Sequence, residues 1–150
     1  MTVRVQSADF DLGAELTALR SGRTDIGALV SFTGLVRDLG GSLTGFELEH
    51  YPAMTERALL GIEAEAQARW PLQASLIIHR FGPLVPGEQI MMVATASAHR
   101  EAAFSSAEFL MDYLKSRAPF WKKETSAAGA AWVDAREADE AALARWSARS

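Results

Sequence analysis

The sequence predicts an α+β fold built around a largely antiparallel sheet. Three observations lead there. Strand-like runs and helical periodicities interleave, but without the regular strand–helix–strand rhythm of a parallel sheet. No glycine-rich nucleotide loop opens any of the helices. Of the 150 residues, 49% are apolar, enough to build the core of one compact unit. No repeat, low-complexity tract or linker divides the chain, so residues 1–150 read as a single domain.

The elements follow in order. Residues 2–6 alternate polar and apolar, as a short strand does. Residues 11–20 put Leu12, Leu16 and Leu19 on one helical face. The β-rich run 27–36 leads into a loop with paired glycines, Gly40 and Gly41, and residues 44–51 form a further strand. The two strands are expected to pair as a hairpin. Leu59, Ile62, Ala66 and Trp70 mark a helix over 55–70, stopped by Pro71. Strands over 74–81 and 89–96 flank the turn-rich link Gly82-Pro-Leu-Val-Pro-Gly87. Residues 100–116 form the clearest helix, with an apolar stripe of Phe104, Ala107, Met111 and Leu114. Ala118-Pro119 breaks it. Short strands over 120–125 and 131–133 surround Ser126-Ala-Ala-Gly129, and the charged, alanine-rich 137–149 closes the chain as a helix.

Composition excludes several functions. The net charge of −4 argues against broad nucleic-acid binding, which needs a basic surface. There is no cysteine, hence no disulfide, thiolate nucleophile, persulfide or cysteine-held metal. Any sulfur this protein handled would have to arrive on something else. The N-terminus has no signal-peptide pattern, and no run approaches the ~20 apolar residues of a membrane span. The expected protein is soluble and cytoplasmic. His50, His79 and His99 lack metal-site spacing, and no Ser-His-Asp elbow or phosphate loop is present.

Three segments could carry chemistry. Ser97-Ala-His-Arg100 lies at a strand-to-helix junction, where free N–H groups and the helix dipole attract anions. Arg100 projects within about 20° of the centre of the expected apolar stripe. A phosphate ligand and a plain carboxylate pair would each satisfy it, and His79 and His99 can equally be polar gap-fillers. Lys115-Ser-Arg-Ala-Pro-Phe-Trp-Lys-Lys123 offers lysines beside apolar walls and other cations, the setting of a general acid or base. A solvated basic helix end has the same composition. Phe32-Thr-Gly-Leu-Val-Arg37 ends a strand in an arginine that can reach a ligand or form a surface ion pair.

Taken together these segments resemble a known family. Phe32-Thr-Gly-Leu-Val-Arg37, Leu48-Glu-His-Tyr-Pro-Ala-Met-Thr-Glu56, Arg69-Trp-Pro-Leu72, Ser97-Ala-His-Arg100 and the run from Met111 to Glu124 are similar to the molybdopterin synthase catalytic subunit family. Trp132-Val-Asp-Ala-Arg136 continues the match, which spans about residues 27–146. The resemblance implies an α/β hammerhead fold and a homodimer within a heterotetramer. The implied partner would be a small ubiquitin-like sulfur carrier whose Gly-Gly tail ends in a thiocarboxylate. The implied substrate would be cyclic pyranopterin monophosphate (precursor Z), converted by two sulfur transfers to the dithiolene of molybdopterin. Lys115 and Lys122 would be the catalytic lysines and would also touch substrate. Arg37, His99 and Arg100 would hold the phosphate, with Arg136 nearby. Phe32 and Met111 would line the channel for the carrier tail. Lys123 is the lesser lysine, and Leu35 stands where some relatives carry a basic residue. No cofactor, metal, nucleic acid or membrane is implied.

Overall fold

The elements run β1 (Thr2–Gln6), α1 (Leu12–Arg20), β2 (Ala28–Leu35), β3 (Leu43–His50), α2 (Pro52–Arg69), β4 (Leu72–Arg80), β5 (Gly82–Leu84), β6 (Gln89–Ser97), α3 (Arg100–Arg117), β7 (Phe120–Ser126), β8 (Gly129–Val133) and α4 (Glu137–Ser147). The structure, a computed structural model, describes residues 2–38, 43–118, 120–126, 129–133 and 137–147. Among these, the strands form two four-stranded sheets, ordered β1-β4-β6-β2 and β5-β3-β7-β8. β1 joins β4 in parallel and the other pairs are antiparallel, which bears out the α+β expectation.

The first sheet holds the main core. β4 and β6 are its central strands, and each carries seven consecutive buried residues. Leu76, Ile78, Met92 and Ala94 face α1, whose Leu12, Leu16 and Leu19 pack on them. Ile77, Met91 and Val93 face the other way, toward Leu59, Ile62 and Ala66 of α2 and Phe109, Leu110 and Leu114 of α3. A strand covered on both faces needs apolar side chains at nearly every position, so these two read as continuous runs. Thr95 Oγ1 donates to the Ala103 carbonyl at 2.7 Å, tying the start of α3 to the end of β6.

Caps and aromatics hold the helices. The Asp11 carboxylate accepts from the Ala14 N–H at 2.9 Å and starts α1. Pro52 occupies the first turn of α2, where its missing N–H costs nothing. α4 is anchored by Trp146, which lies edge-on to Trp70 and Phe109. Its indole N–H donates to Asp112 of α3 at 2.5 Å. Among the described residues, no helix is long and apolar enough to cross a membrane.

Three expectations need correction. β2 and β3 do not form a hairpin: β2 pairs with β6, and β3 lies between β5 and β7. Phe46 and Leu48 of β3 belong to a separate small core with Val36 and Leu84, so β3 gains more burial in the second sheet. The link after β4 contains β5, which pairs with β3. The buried face of α3 is Ala103, Ser106, Ala107, Phe109, Leu110 and Leu114, while Phe104 is 61% exposed. α3 packs on β6, α2 and α4 at once, which widens and rotates its apolar face. Arg100 then falls roughly 80° from the centre of that face, and it is exposed.

Phe109 is fully buried and in ring contact with Trp70, Tyr113 and Trp146. Phe109→Ala should therefore destabilise the protein by about 3–5 kcal/mol in urea unfolding, as large core truncations do.

Candidate active site

The two sheets meet where β4 ends. His79 and Arg80 close β4, Phe81 follows, and Gly82 begins β5 at φ +91°, a backbone shape that favours glycine. Arg80 is buried and committed: it donates to the carbonyls of Ser7 at 3.1 Å and Gln89 at 2.9 Å. His79 is only 8% exposed. Its Nδ1–H donates to the Arg80 carbonyl at 2.8 Å, which sets the tautomer. Its ring stacks on Phe120 with centroids 3.6 Å apart and planes 15° from parallel. His50, at the end of β3, touches the same group, 4.4 Å from Phe81 and 5.8 Å from Phe120 between centroids.

The charges of both expected catalytic lysines act on His79. Lys115 stands exposed in the last turn of α3. Lys122 is the third residue of β7, so its side chain shares a face with Phe120. It pairs in register with Leu48, which is buried. Lys123 projects to the opposite face, across from Glu47. Alternation along β7 thus separates the two neighbouring lysines. Burial pushes the His79 pKa down to about 4, and the charges of Lys122, His50 and Lys115 push the same way. Burial also lowers the His50 pKa. Arg37 leaves the same junction, because Val36 lies in the small core with Leu48 and its N–H donates to Glu88 at 2.9 Å.

His99 and Arg100 lie at the other end of α3. Both are exposed, and His99 is the N-cap without a side-chain capping bond. The fifteen helical steps from Arg100 to Lys115 cover about 22 Å at ~1.5 Å per residue. β6 runs back alongside α3, so this end is near the start of β2. There Gly27 presses on the Ala98 carbonyl so closely that a Cβ would lie 2.2 Å from its oxygen. Phe32 pairs with Val93, and Met111 packs on the core cluster that contains Val93. Phe32 and Met111 are therefore on one side of the first sheet, with Phe32 44% exposed. Arg136 lies outside the described residues.

Sequence reasoning took His79 for a gap-filler and assigned nothing to Phe120. The available signal was position: His79-Arg80 is a charged-type pair ending an otherwise apolar buried strand.

The MoaE protein family matches residues 5–117. The chain belongs to the MoaE family. A curated relative from Cereibacter sphaeroides, named molybdopterin synthase catalytic subunit, is 62% identical over 97% of this chain and 100% of its own. The solved MoaE protein from Burkholderia ambifaria is 58% identical, with a TM-score of 0.85 over 97% of each chain. Molybdopterin synthase from Staphylococcus aureus is 29% identical, with a TM-score of 0.80 over 87% of this chain and 96% of that one. The MoaE match takes in Phe32, Arg37, His99, Arg100, Met111 and Lys115, and it ends before Lys122.

The depressed pKa of His79 has a signed consequence for this MoaE chain. As pH falls, the unfolded chain takes up this proton near 6.5, while the folded chain resists until about 4. Its contribution to stability is thus full above pH 6.5 and is lost toward pH 4. His79→Phe keeps a flat ring without the proton. Urea unfolding at about pH 7 and about pH 4.5 should show a loss smaller by roughly 2 kcal/mol in the variant. Equal losses in both proteins would assign the acid sensitivity elsewhere.

Proposed function

We propose that this chain is the catalytic subunit of a molybdopterin synthase, a sulfurtransferase of molybdenum cofactor biosynthesis. Its substrate is cyclic pyranopterin monophosphate. Its sulfur donor is the C-terminal thiocarboxylate of a small ubiquitin-like carrier, used twice to build the dithiolene. What carries this reading is the MoaE match together with the placement of the two lysines, Lys115 at the end of α3, five residues before Phe120, and Lys122 on the face of β7 that holds Phe120. A cysteine-free enzyme also needs a donor of this kind.

The lysines have two tasks. One is to stabilise the negative charge that develops as sulfur leaves the carrier's acyl carbon. The other is to move protons as the cyclic phosphate opens. Arg37 is suited to the phosphate, since a guanidinium offers paired donors to its oxygens. The carrier's tail would pass Phe32 and Met111, where glycines let its backbone approach an apolar wall.

His99 and Arg100 fit this scheme only with a second copy. A gap of about 22 Å along α3 is too long for one small pterin to bridge from Lys115. We therefore place the phosphate-holding pair of one protomer beside the lysines of its partner, in a homodimer that carries one carrier on each subunit. Two-fold symmetry then gives two equivalent shared sites.

The test is reconstitution with thiocarboxylated carrier and the pterin precursor, followed by detection of the dithiolene product. Lys115→Ala should lower turnover by about 100-fold or more while changing stability by less than about 1 kcal/mol, because the side chain is exposed. Near-normal turnover in that variant would end the assignment. Mixing inactive Lys115→Ala with inactive Arg100→Ala protein should restore part of the activity, because a mixed dimer retains one intact shared site. No recovery after demonstrated subunit exchange would place both groups in the site of a single protomer.

A further inference from the structure

We propose that the stack of His79 on Phe120 fixes the place of Lys122 relative to Lys115, which makes His79 a positioning residue for the sulfur transfer. The inference rests on the lysine roles proposed above and adds a residue that holds them in place.

The geometry runs through the chain between the two lysines. Lys115 belongs to α3 and so to the core of the first sheet, while Lys122 belongs to β7 of the second. Their separation is therefore set by how the second sheet is fastened to the first. Phe120 is the first residue of β7, and its N–H donates to the Ala118 carbonyl at 2.8 Å, just past the end of α3. Its ring lies against His79, near the end of the central strand β4, at 3.6 Å between centroids. β4 is among the most deeply buried elements, so His79 starts from a fixed base. Lys122 lies two residues beyond Phe120 on the same face, so a shift of the Phe120 ring carries Lys122 with it. A displacement of even 1 Å at a reacting group can cost about 100-fold in rate.

Histidine suits this place better than a plain aromatic ring. Its Nδ1–H bond to the Arg80 carbonyl fixes the rotation of the ring, which a phenyl could not do. It must also remain neutral here. Lys122 acts on it from β7, Lys115 from α3 and His50 from β3, with Arg80 next along β4. A charged imidazole would add a further cation among these groups and repel both lysines.

The test compares His79→Ala, which removes the stack, with His79→Phe, which keeps it, in the reconstituted system. Thermal unfolding first establishes that each variant is folded. NMR of isotope-labelled lysine side chains and steady-state kinetics are then measured on the same samples. In His79→Ala the Lys122 resonances should move while those of Lys123, on the opposite face, stay. Turnover should fall by about 10-fold or more, with a much smaller change in the KM for the pterin and the affinity for carrier unchanged. His79→Phe should recover most of both effects. If His79→Ala does not fold, Phe120→Leu removes the stack from the other side and leaves the His79 bond to Arg80 intact. Unmoved Lys122 resonances in a folded variant would overturn the positioning role, whatever the turnover. Moved resonances with unchanged turnover would uphold it and overturn the catalytic reading of Lys122 instead.

Discussion

Strands β4 and β6 are buried on both faces, and the other elements take their places from that pair. One face is covered by α1, the other by α2 and α3, and β1 and β2 extend the sheet on either side. Burial of this kind is the main favourable term in folding, and it leaves little freedom in the register. The candidate site residues stand where this rigid pair ends. β4 delivers His79 to the seam between the sheets, and β6 delivers His99 and Arg100 to the start of α3. Both positions are element ends: the first keeps His79 buried and fixed, and the second holds His99 and Arg100 out in solvent.

The seam is an unusual place for cations. Lys122 stands on the face that carries Phe120 and opposite Leu48, so the apolar surroundings that build the small core also border the lysine. Lower polarity strengthens any interaction between a lysine and a developing anion. The buried histidine beside it answers to the same physics in reverse, and it is held neutral by burial and by neighbouring cations.

Local pattern revealed much of this fold, and the remainder depended on distant contacts. β4, β6 and α3 were legible because continuous apolar runs and helical periodicity leave their mark within a few residues. The pairing of β3 was not legible, since its partners β5 and β7 lie far along the chain and local pattern favoured a neighbour. The face of α3 was misjudged because periodicity assumes one contact surface, and this helix has several. Lys115, Lys122, Arg37, His99 and Arg100 stood out through family motifs. The gap along α3 between Arg100 and Lys115 was already implicit in the expected helix, since fifteen residues of helix cover about 22 Å. His79 was passed over because its two decisive neighbours, the Phe120 ring and the Arg80 carbonyl, are tertiary and backbone features with no signature in residue type.

β2 is an outer strand of the first sheet, and it carries Phe32 and Leu35 with 44% and 55% of their surface exposed. An open edge of this kind is a template for any passing strand, and the irregularity between Gly34 and Leu35 blunts only its far end. The same exposed apolar side chains are a hazard while the chain is being made, before the sheet has closed. Added bulk or charge at Phe32 or Leu35 would change what that edge can pair with while leaving the buried face of the sheet untouched.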